Sequence, residues 1–448
     1  MADELTGLTG EVTELLQQLI RNQCVNDGSP ESGEEARSAN LLRDYLEGGG
    51  VDIGTFESLP GRRSLVARIE GTDPSAPSLC LMGHTDVVPV TPSGWRRDPF
   101  GGELVDGEVW GRGAIDMLNL TASMAVATKH LARTGFRPKG TLLYFAVADE
   151  EAGGHWGAEW ALDHERDAVA ADYVLTESGG LVMDTRAGER VTITVAEKGV
   201  MWRRLRVRGT PGHGSAPFGA DNALVKAAEV VRRIAAYEPR AQILDLWQSY
   251  VDAFDLTDAE RKALSDPDTV LEACRTLPDQ GVAKLAHACT RTTFSPNVAH
   301  GGVKTNVIPD VVDLDIDIRV MPGETDDDVR AHLDAALGDL SSEVELSVLQ
   351  SGEYTRSPTD TPLYDALEKV AQRVYPQATL MPVMTVGGTD ARFYRNAGSL
   401  AYGFGLMSRD VTYQKFRSRF HGNDERVDVE SLRLSTDCWV SIAEDVVG

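Results

Sequence analysis

Ser78-Leu79-Cys80-Leu81-Met82 is a short apolar run that leads directly into Gly83-His84-Thr85-Asp86. Its length is that of a buried strand, and it stops at an imidazole and a carboxylate. Two further runs behave the same way. Residues 141–147 lead into Asp149-Glu150-Glu151, and residues 172–175 lead into Glu177. A fourth run covers residues 64–69, and residues 118–131 show helical spacing. Strands that alternate with helices predict an α/β fold with a mostly parallel sheet covered by helices. In such sheets a site forms beyond the carboxyl ends of the strands. Three separate segments therefore carry imidazole and carboxylate groups to one edge.

Upstream, Val12, Leu15, Leu16, Leu19 and Ile20 repeat at helical spacing. Ser32 can cap a second helix, through Leu41, Leu42 and Leu46, that stops at Gly48-Gly49-Gly50. The pattern changes near Gly199. Strands are expected at 201–207, 292–299, 303–308, 311–320 and 344–349, with helices at 222–234 and from Thr325. That approximates a βαββαβ order, a small ferredoxin-like α+β domain. An insert at 237–290 looks helical, with Ile243, Leu244, Leu246 and Trp247 apolar and Asp258 a possible cap. After Ser357 the βα alternation returns, with helices at 363–374 and 429–446 and strands at 381–386 and 400–404. The expected architecture is a discontinuous catalytic domain (1–198 and 356–448) interrupted by a lid or dimerisation domain at 199–355.

The bulk properties narrow the classes. A chain of 448 residues suggests two or three domains, at roughly 150 residues each. It can bury a core without disulfides or a structural metal, so a bound metal is expected to serve chemistry. With 69 acidic and 44 basic side chains the net charge is −25, which repels nucleic acid and anionic membranes alike. The five cysteines are odd in number and widely spaced, with no C-x-x-C pair. That argues against a disulfide framework or a thiolate zinc site. Met1 to Gly10 carries Asp3 and Glu4 and no apolar region, so no signal peptide is expected. No apolar run is long enough to span a bilayer, and the expected location is the cytosol.

Each chemical candidate has two readings. Asp86, two residues after His84, can accept the second ring N–H of a metal-bound imidazole; the pair also reads as a strand end and a turn. Asp116, in Gly111-Arg112-Gly113-Ala114-Ile115-Asp116-Met117, can bridge two metals or cap the following helix. Glu150-Glu151 are adjacent carboxylates that repel unless cations or protons intervene; they also suit a solvated loop. Glu177 alone reads equally as a surface residue. His213, in Gly212-His213-Gly214-Ser215-Ala216-Pro217, and His421, in Phe420-His421-Gly422-Asn423, lie in loops. Gly387-Gly388-Thr389-Asp390 exposes backbone N–H groups suited to a carboxylate, or forms a simple strand exit.

Taken together these residues resemble the M20 family of dinuclear zinc peptidases and deacylases. The resemblance is carried by Gly83-His84-Thr85-Asp86-Val87-Val88-Pro89, Asp98-Pro99-Phe100, Gly111 to Met117, and Asp149-Glu150-Glu151 with Gly153-Gly154. It continues through Gly209, Gly212-His213, Ser215 and Pro217, then Asn306-Val307-Ile308-Pro309, Asp317 with Arg319, Gly388-Thr389-Asp390 and Phe420-His421-Gly422. Within the family the chain looks most like the aminoacylase and carboxypeptidase S branch. Leu118-Asn119 stands where many relatives have Lys-Gly.

The resemblance implies roles. His84 and Glu177 would bind one zinc, Glu151 and His421 the other, and Asp116 would bridge them; cobalt or manganese also suit such ligands. Asp86 would orient His84, Glu150 would act as general base on a shared water, and His213 would stabilise the oxyanion. Asn306, Arg319, Gly388 and Thr389 would hold the substrate's carboxylate. Glu at 177 goes with deacylase or carboxypeptidase action. The implied activity is amide hydrolysis of N-acyl amino acids or short peptides with a free carboxylate, by a homodimer joined through the lid domain. Two alternatives stay open: a deacylase of the succinyl-diaminopimelate or acetylornithine type, and an inactive metal-binding scaffold.

Overall fold

The computed structural model describes residues 2–448, with side chains from residue 7 onward. Met1 and the side chains of Asp3 and Glu4, on which the expectation of no leader partly rests, lie outside the described residues. The chain forms two compact units. One comprises Met1–Val195, Arg356–Val383 and Thr389–Gly448; the other comprises Ala196–Thr355 and Met384–Gly388.

The first unit is built on a mixed sheet whose centre is parallel. Leu142–Val147, Leu79–His84, Tyr173–Thr176 and Leu400–Gly403 lie side by side in that order, all running the same way. Every residue of Leu79–His84 and Leu142–Val147 is buried, as expected of strands covered on both faces. On one face pack the helices Leu118–Arg133 and Val429–Val447. On the other, Ala158, Ala161, Leu162, Val169 and Tyr394 close over Cys80, Met82, Leu143 and Phe145.

The flanks are antiparallel. Arg63–Ile69 pairs antiparallel with both Asp52–Glu57 and Leu142–Val147. The connection from Glu57 to Arg63 is too short for the crossover that parallel neighbours need. On the far side Gly188–Glu197 runs antiparallel to Leu400–Gly403. The alternation Val191-Thr192-Ile193-Thr194-Val195 marks this strand, which has no counterpart among the expected elements.

The second unit holds a sheet ordered Thr293–Gly301, Val311–Val320, Arg203–Arg208, Val344–Val348, all antiparallel. Helices Ala223–Ala235 and Asp326–Leu337 cover one face, through Val230, Ile234, Val329 and Leu333. Strict alternation along Val311–Val320 sends every second residue inward. The other face carries cross-strand ion pairs: Arg204 with Asp315, Arg206 with Asp313 and Arg208 with Glu345. Of the strand expected at 303–308 only Val307–Ile308 forms, paired with Gly212–His213. Between Ala235 and Thr293 lie four helices, Asp245–Ala253, Asp258–Leu264, Val270–Thr276 and Gln280–Thr290. Thr257, not Asp258, caps the second of them, in a capping box with Glu260. All five cysteines are free thiols. Among the described residues no helix is long and apolar enough to cross a membrane.

Candidate metal centre

The parallel register brings the strand ends together. Gly83 and His84 pair with Ala146 and Val147, and Leu81 pairs with Leu175. His84, the Asp149-Glu150-Glu151 turn and Glu177 therefore emerge at one edge. Gly83 permits close packing beneath the site. A Cβ there would sit 2.5 Å from Thr121 Oγ1, and Thr121 donates to the His84 carbonyl at 2.7 Å.

His84 is buried, and its Nδ1 lies 2.9 Å from the Asp86 backbone carbonyl. A carbonyl only accepts, so Nδ1 carries a hydrogen and Nε2 is the atom left to bind a cation or, without one, to carry a second hydrogen toward Asp116. The sequence suggested that the Asp86 carboxylate would make this contact. Instead its Oδ1 stands off at 3.6 Å, while Oδ2 accepts from the Glu151 N–H at 3.1 Å and the Asn26 amide at 2.9 Å. The ring hydrogen is taken by the backbone carbonyl, and the carboxylate is held by Glu151 and Asn26.

Asp116 faces two ways. Its Oδ1 lies 3.3 Å from His84 Nε2 and its Oδ2 lies 2.9 Å from His421 Nε2. His421 Nε2 is also 3.3 Å from Glu151 Oε2. Two sets of ligand atoms result, each within 4.8 Å: His84, Asp116 and Glu177, and Asp116, Glu151 and His421. Glu150 belongs to neither set, yet its Oε2 is 3.9 Å from His84 Nε2. Asp116 does not cap the next helix. Met117 occupies that position, without a side-chain cap bond.

Four carboxylates and two imidazoles share this space. Among the described residues, no Lys or Arg pairs with any of the four. Burial, and then the charge of Glu177, push Glu150 well above the usual carboxylate range. Burial, and then Asp116, do the same to Glu177. Burial alone would raise Asp116, but bonds from His421 and His84 hold it below its usual value. Burial opposes a charged His84, yet the bond to Asp116 and the charges of Glu150, Glu177 and Asp86 raise it well above normal. A lone pair on His84 Nε2 facing a carboxylate oxygen requires a proton or a cation between them. Buried Glu151 Oε1 has no partner. The donor set fits a pair of divalent cations, with oxygen and imidazole ligands on each.

Backbone strain concentrates here. Asp149 before the glutamate pair (φ 71°), Ser178 after Glu177 (φ 74°) and His421 itself (φ 55°) are left-handed non-glycine residues. Such conformations persist only where the surroundings over-determine them. One brace was not legible in the sequence. Buried Glu425 accepts from the Ile115 and Asp116 N–H groups at 2.8 and 3.1 Å and pairs with Arg112 at 2.6 Å. Asn423-Asp424-Glu425-Arg426 reads as a solvated loop, and no local signal separates Glu425 from it.

The remaining candidates divide between the units. In the first, Thr389 is buried and its Oγ1 accepts from the Ala391 N–H at 3.2 Å. Gly388 belongs to the second unit, as do His213, Asn306 and Arg319. There the short ladder Gly212–His213 with Val307–Ile308 brings His213 beside Asn306, whose carbonyl accepts from the Gly214 N–H at 2.8 Å. His213 is exposed, and its Nδ1 accepts from the Ser215 N–H at 3.2 Å. That bond leaves the ring hydrogen on Nε2, as a donor. Arg319 is already engaged: Nε lies 2.6 Å and Nη2 3.2 Å from the Asp317 carboxylate, and Trp202 donates to the same group at 3.0 Å.

The mixed sheet thus delivers two sets of potential cation ligands, sharing Asp116, to the edge of its parallel centre. Residues 80–445 match the model of Peptidase family M20/M25/M40, and the chain belongs to that family. It is 34% identical to aminoacylase-1 of Sus scrofa over 228 residues, 50% of this chain and 54% of that enzyme, so the match spans about half of this relative's length. It is 29% identical to the succinyl-diaminopimelate desuccinylase of Cereibacter sphaeroides over 92% of this chain and 94% of that one. Among solved structures, the M20 family metallo-carboxypeptidase of Sulfolobus solfataricus superposes with a TM-score of 0.73 at 20% identity, covering 97% of this chain and 99% of that one. This last likeness concerns the fold.

Proposed function

We propose that the protein hydrolyses the amide bond of N-acyl amino acids or short peptides that carry a free carboxylate. The observation behind this reading is the pair of ligand sets that share Asp116, with Glu150 beside them and in neither. His84 and Glu177 would hold one divalent ion and Glu151 and His421 the other, with Asp116 shared by both sets. Two such ions, zinc by resemblance, supply Lewis acidity toward the scissile carbonyl and a water acidified to near neutral pH. Glu150 takes the proton from the attacking water and returns it to the leaving nitrogen. Asp86 holds the His84 ring through its carbonyl and so fixes the tautomer.

By resemblance, His213 would donate from Nε2 to the developing oxyanion, and the protein would act as a homodimer. Asn306, Arg319, Gly388 and Thr389 receive the substrate's carboxylate, which must compete with Asp317 for Arg319.

A second reading has a specific support. The succinyl-diaminopimelate desuccinylase matches this chain almost end to end. A panel of N-acyl amino acids, dipeptides, N-acetylornithine and N-succinyl-diaminopimelate, assayed with zinc or cobalt, separates the two. We expect the highest kcat/KM for an N-acyl amino acid and little cleavage of its methyl ester. Clear preference for the succinylated diamine overturns the first reading in favour of the second.

A further inference from the structure

The loop from Cys24 to Glu35 holds a buried polar cluster that no recognised motif covers. Its main chain is tied to the strand exit at His84. The Asn26 N–H donates to the Val87 carbonyl and the Val87 N–H to the Cys24 carbonyl, each at 2.9 Å. The Asn26 side chain is thereby set between two acids. Its Nδ2 donates to Asp86 Oδ2 at 2.9 Å and to Asp149 Oδ1 at 3.4 Å. Its Oδ1 accepts from Arg62 Nη2 at 3.1 Å and from the Gly28 N–H at 3.0 Å. Carboxylates on one side and a guanidinium on the other leave a single workable orientation of the amide.

Arg62 completes the cluster. It bonds Glu35 Oε1 at 2.6 Å and lies 3.5 Å from Asp149 Oδ1. Asn26, Glu35, Arg62, Asp86 and Asp149 are each no more than 3% exposed. Arg62 thus pairs with two of the three buried carboxylates, Glu35 and Asp149, and the Asn26 amide is the neutral spacer between Asp149 and the third, Asp86. Removing it leaves Asp86 and Asp149 facing each other in a low-dielectric site.

The cluster acts on the metal centre from both sides. Asp149 is the left-handed residue directly before Glu150. All its polar side-chain and N–H groups are taken: the N–H by Glu35 at 3.2 Å, Oδ1 by Asn26, Oδ2 by the Trp156 N–H at 2.8 Å. Asp86 joins the His84 side to the Glu151 N–H.

We infer that Asn26, held by Arg62 and Glu35, is a positioning residue for the metal centre: it clamps Asp86 to the Asp149-Glu150-Glu151 turn and so sets His84, Glu150 and Glu151 relative to one another. The inference rests on the proposed metal centre and names a second layer beneath it. Outer partners of this kind typically change metal affinity by about 10- to 100-fold.

The test is a cobalt titration of Asn26→Ala against the wild type, read by visible absorption, with kcat and KM measured at full cobalt loading. Weaker cobalt binding by about 10- to 100-fold, a shifted absorption spectrum, and a kcat lowered by about 10²-fold at unchanged KM are expected. Asn26→Asp, the same shape without the donor, should not rescue. Arg62→Lys, which keeps the cation and loses the fork, is read in the same way if Asn26→Ala does not accumulate folded. Variants that melt earlier but keep the wild-type cobalt affinity, spectrum and kcat overturn the inference and leave Asn26 a polar core residue. A wild-type protein that takes up no cobalt overturns the metal centre itself, and this inference with it.

Discussion

The two oxygens of Asp116 point at two different histidines, 3.3 and 2.9 Å away. A single acid so placed can serve two cations, which spreads its charge and keeps them close. Glu150 stands beside both ligand sets, so its loss should separate binding from turnover. Glu150→Gln should retain two metal ions per chain, measured by elemental mass spectrometry. Its kcat should drop by about 10²- to 10⁴-fold, the usual worth of a placed general base. Unimpaired turnover in that variant would refute the mechanism.

Strands and turns decide where these groups point. Buried parallel strands end in register, so each ligand needs only to follow its strand. A comparable element-level device lies in the second unit, where Lys198 Nζ donates to the carbonyls of Ala288 and Arg291 at 3.0 and 2.7 Å. It thereby anchors the end of helix Gln280–Thr290. Burial lowers this ammonium to about 7, against the pull of Cys289, Glu324 and Asp317. The unfolded chain binds that proton up to about pH 10.4. Between the two values the unfolded state holds more protons, so stability rises with pH, and it is lost as pH falls toward 7. Relative to Lys198→Met, the wild type should gain up to about 1.4 kcal/mol per pH unit between pH 7.5 and 9.5. Urea unfolding of both proteins at each pH checks the sign; a constant gap would mean that Lys198 stays charged.

Across the chain, the cluster of like charges makes the fold dependent on what neutralises it. Ligands that bind only the native state stabilise it by RT ln(1 + L/Kd), which grows with the logarithm of their concentration L above the dissociation constant. Chelation should therefore lower the melting temperature, and zinc or cobalt should restore it. At 1,000 times the dissociation constant the effect is about 4 kcal/mol. A melting curve indifferent to chelator, with metal shown to be removed, would count against a cation pair bridging the strand ends.

Much of this was legible in the sequence. Leu79–His84 and Leu142–Val147 are continuous apolar runs because both faces are covered, and a ligand directly after such a run inherits its direction. The α/β class and the ferredoxin-like strand order of the second unit follow from the same periodicities. Strand direction did not follow: Arg63–Ile69 carries the buried apolar run Leu65-Val66-Ala67 yet pairs antiparallel with Leu142–Val147, since the hydrophobic pattern carries no sign. Nor did the bracing show. Asn26, Glu35, Arg62 and Glu425 are polar loop residues in sequence, and only the approach of segments up to 313 positions apart takes them out of water and gives each a partner. Local patterns report which groups can bind a cation; the packing of distant segments decides which of them are buried, and burial is what gives a charge its leverage.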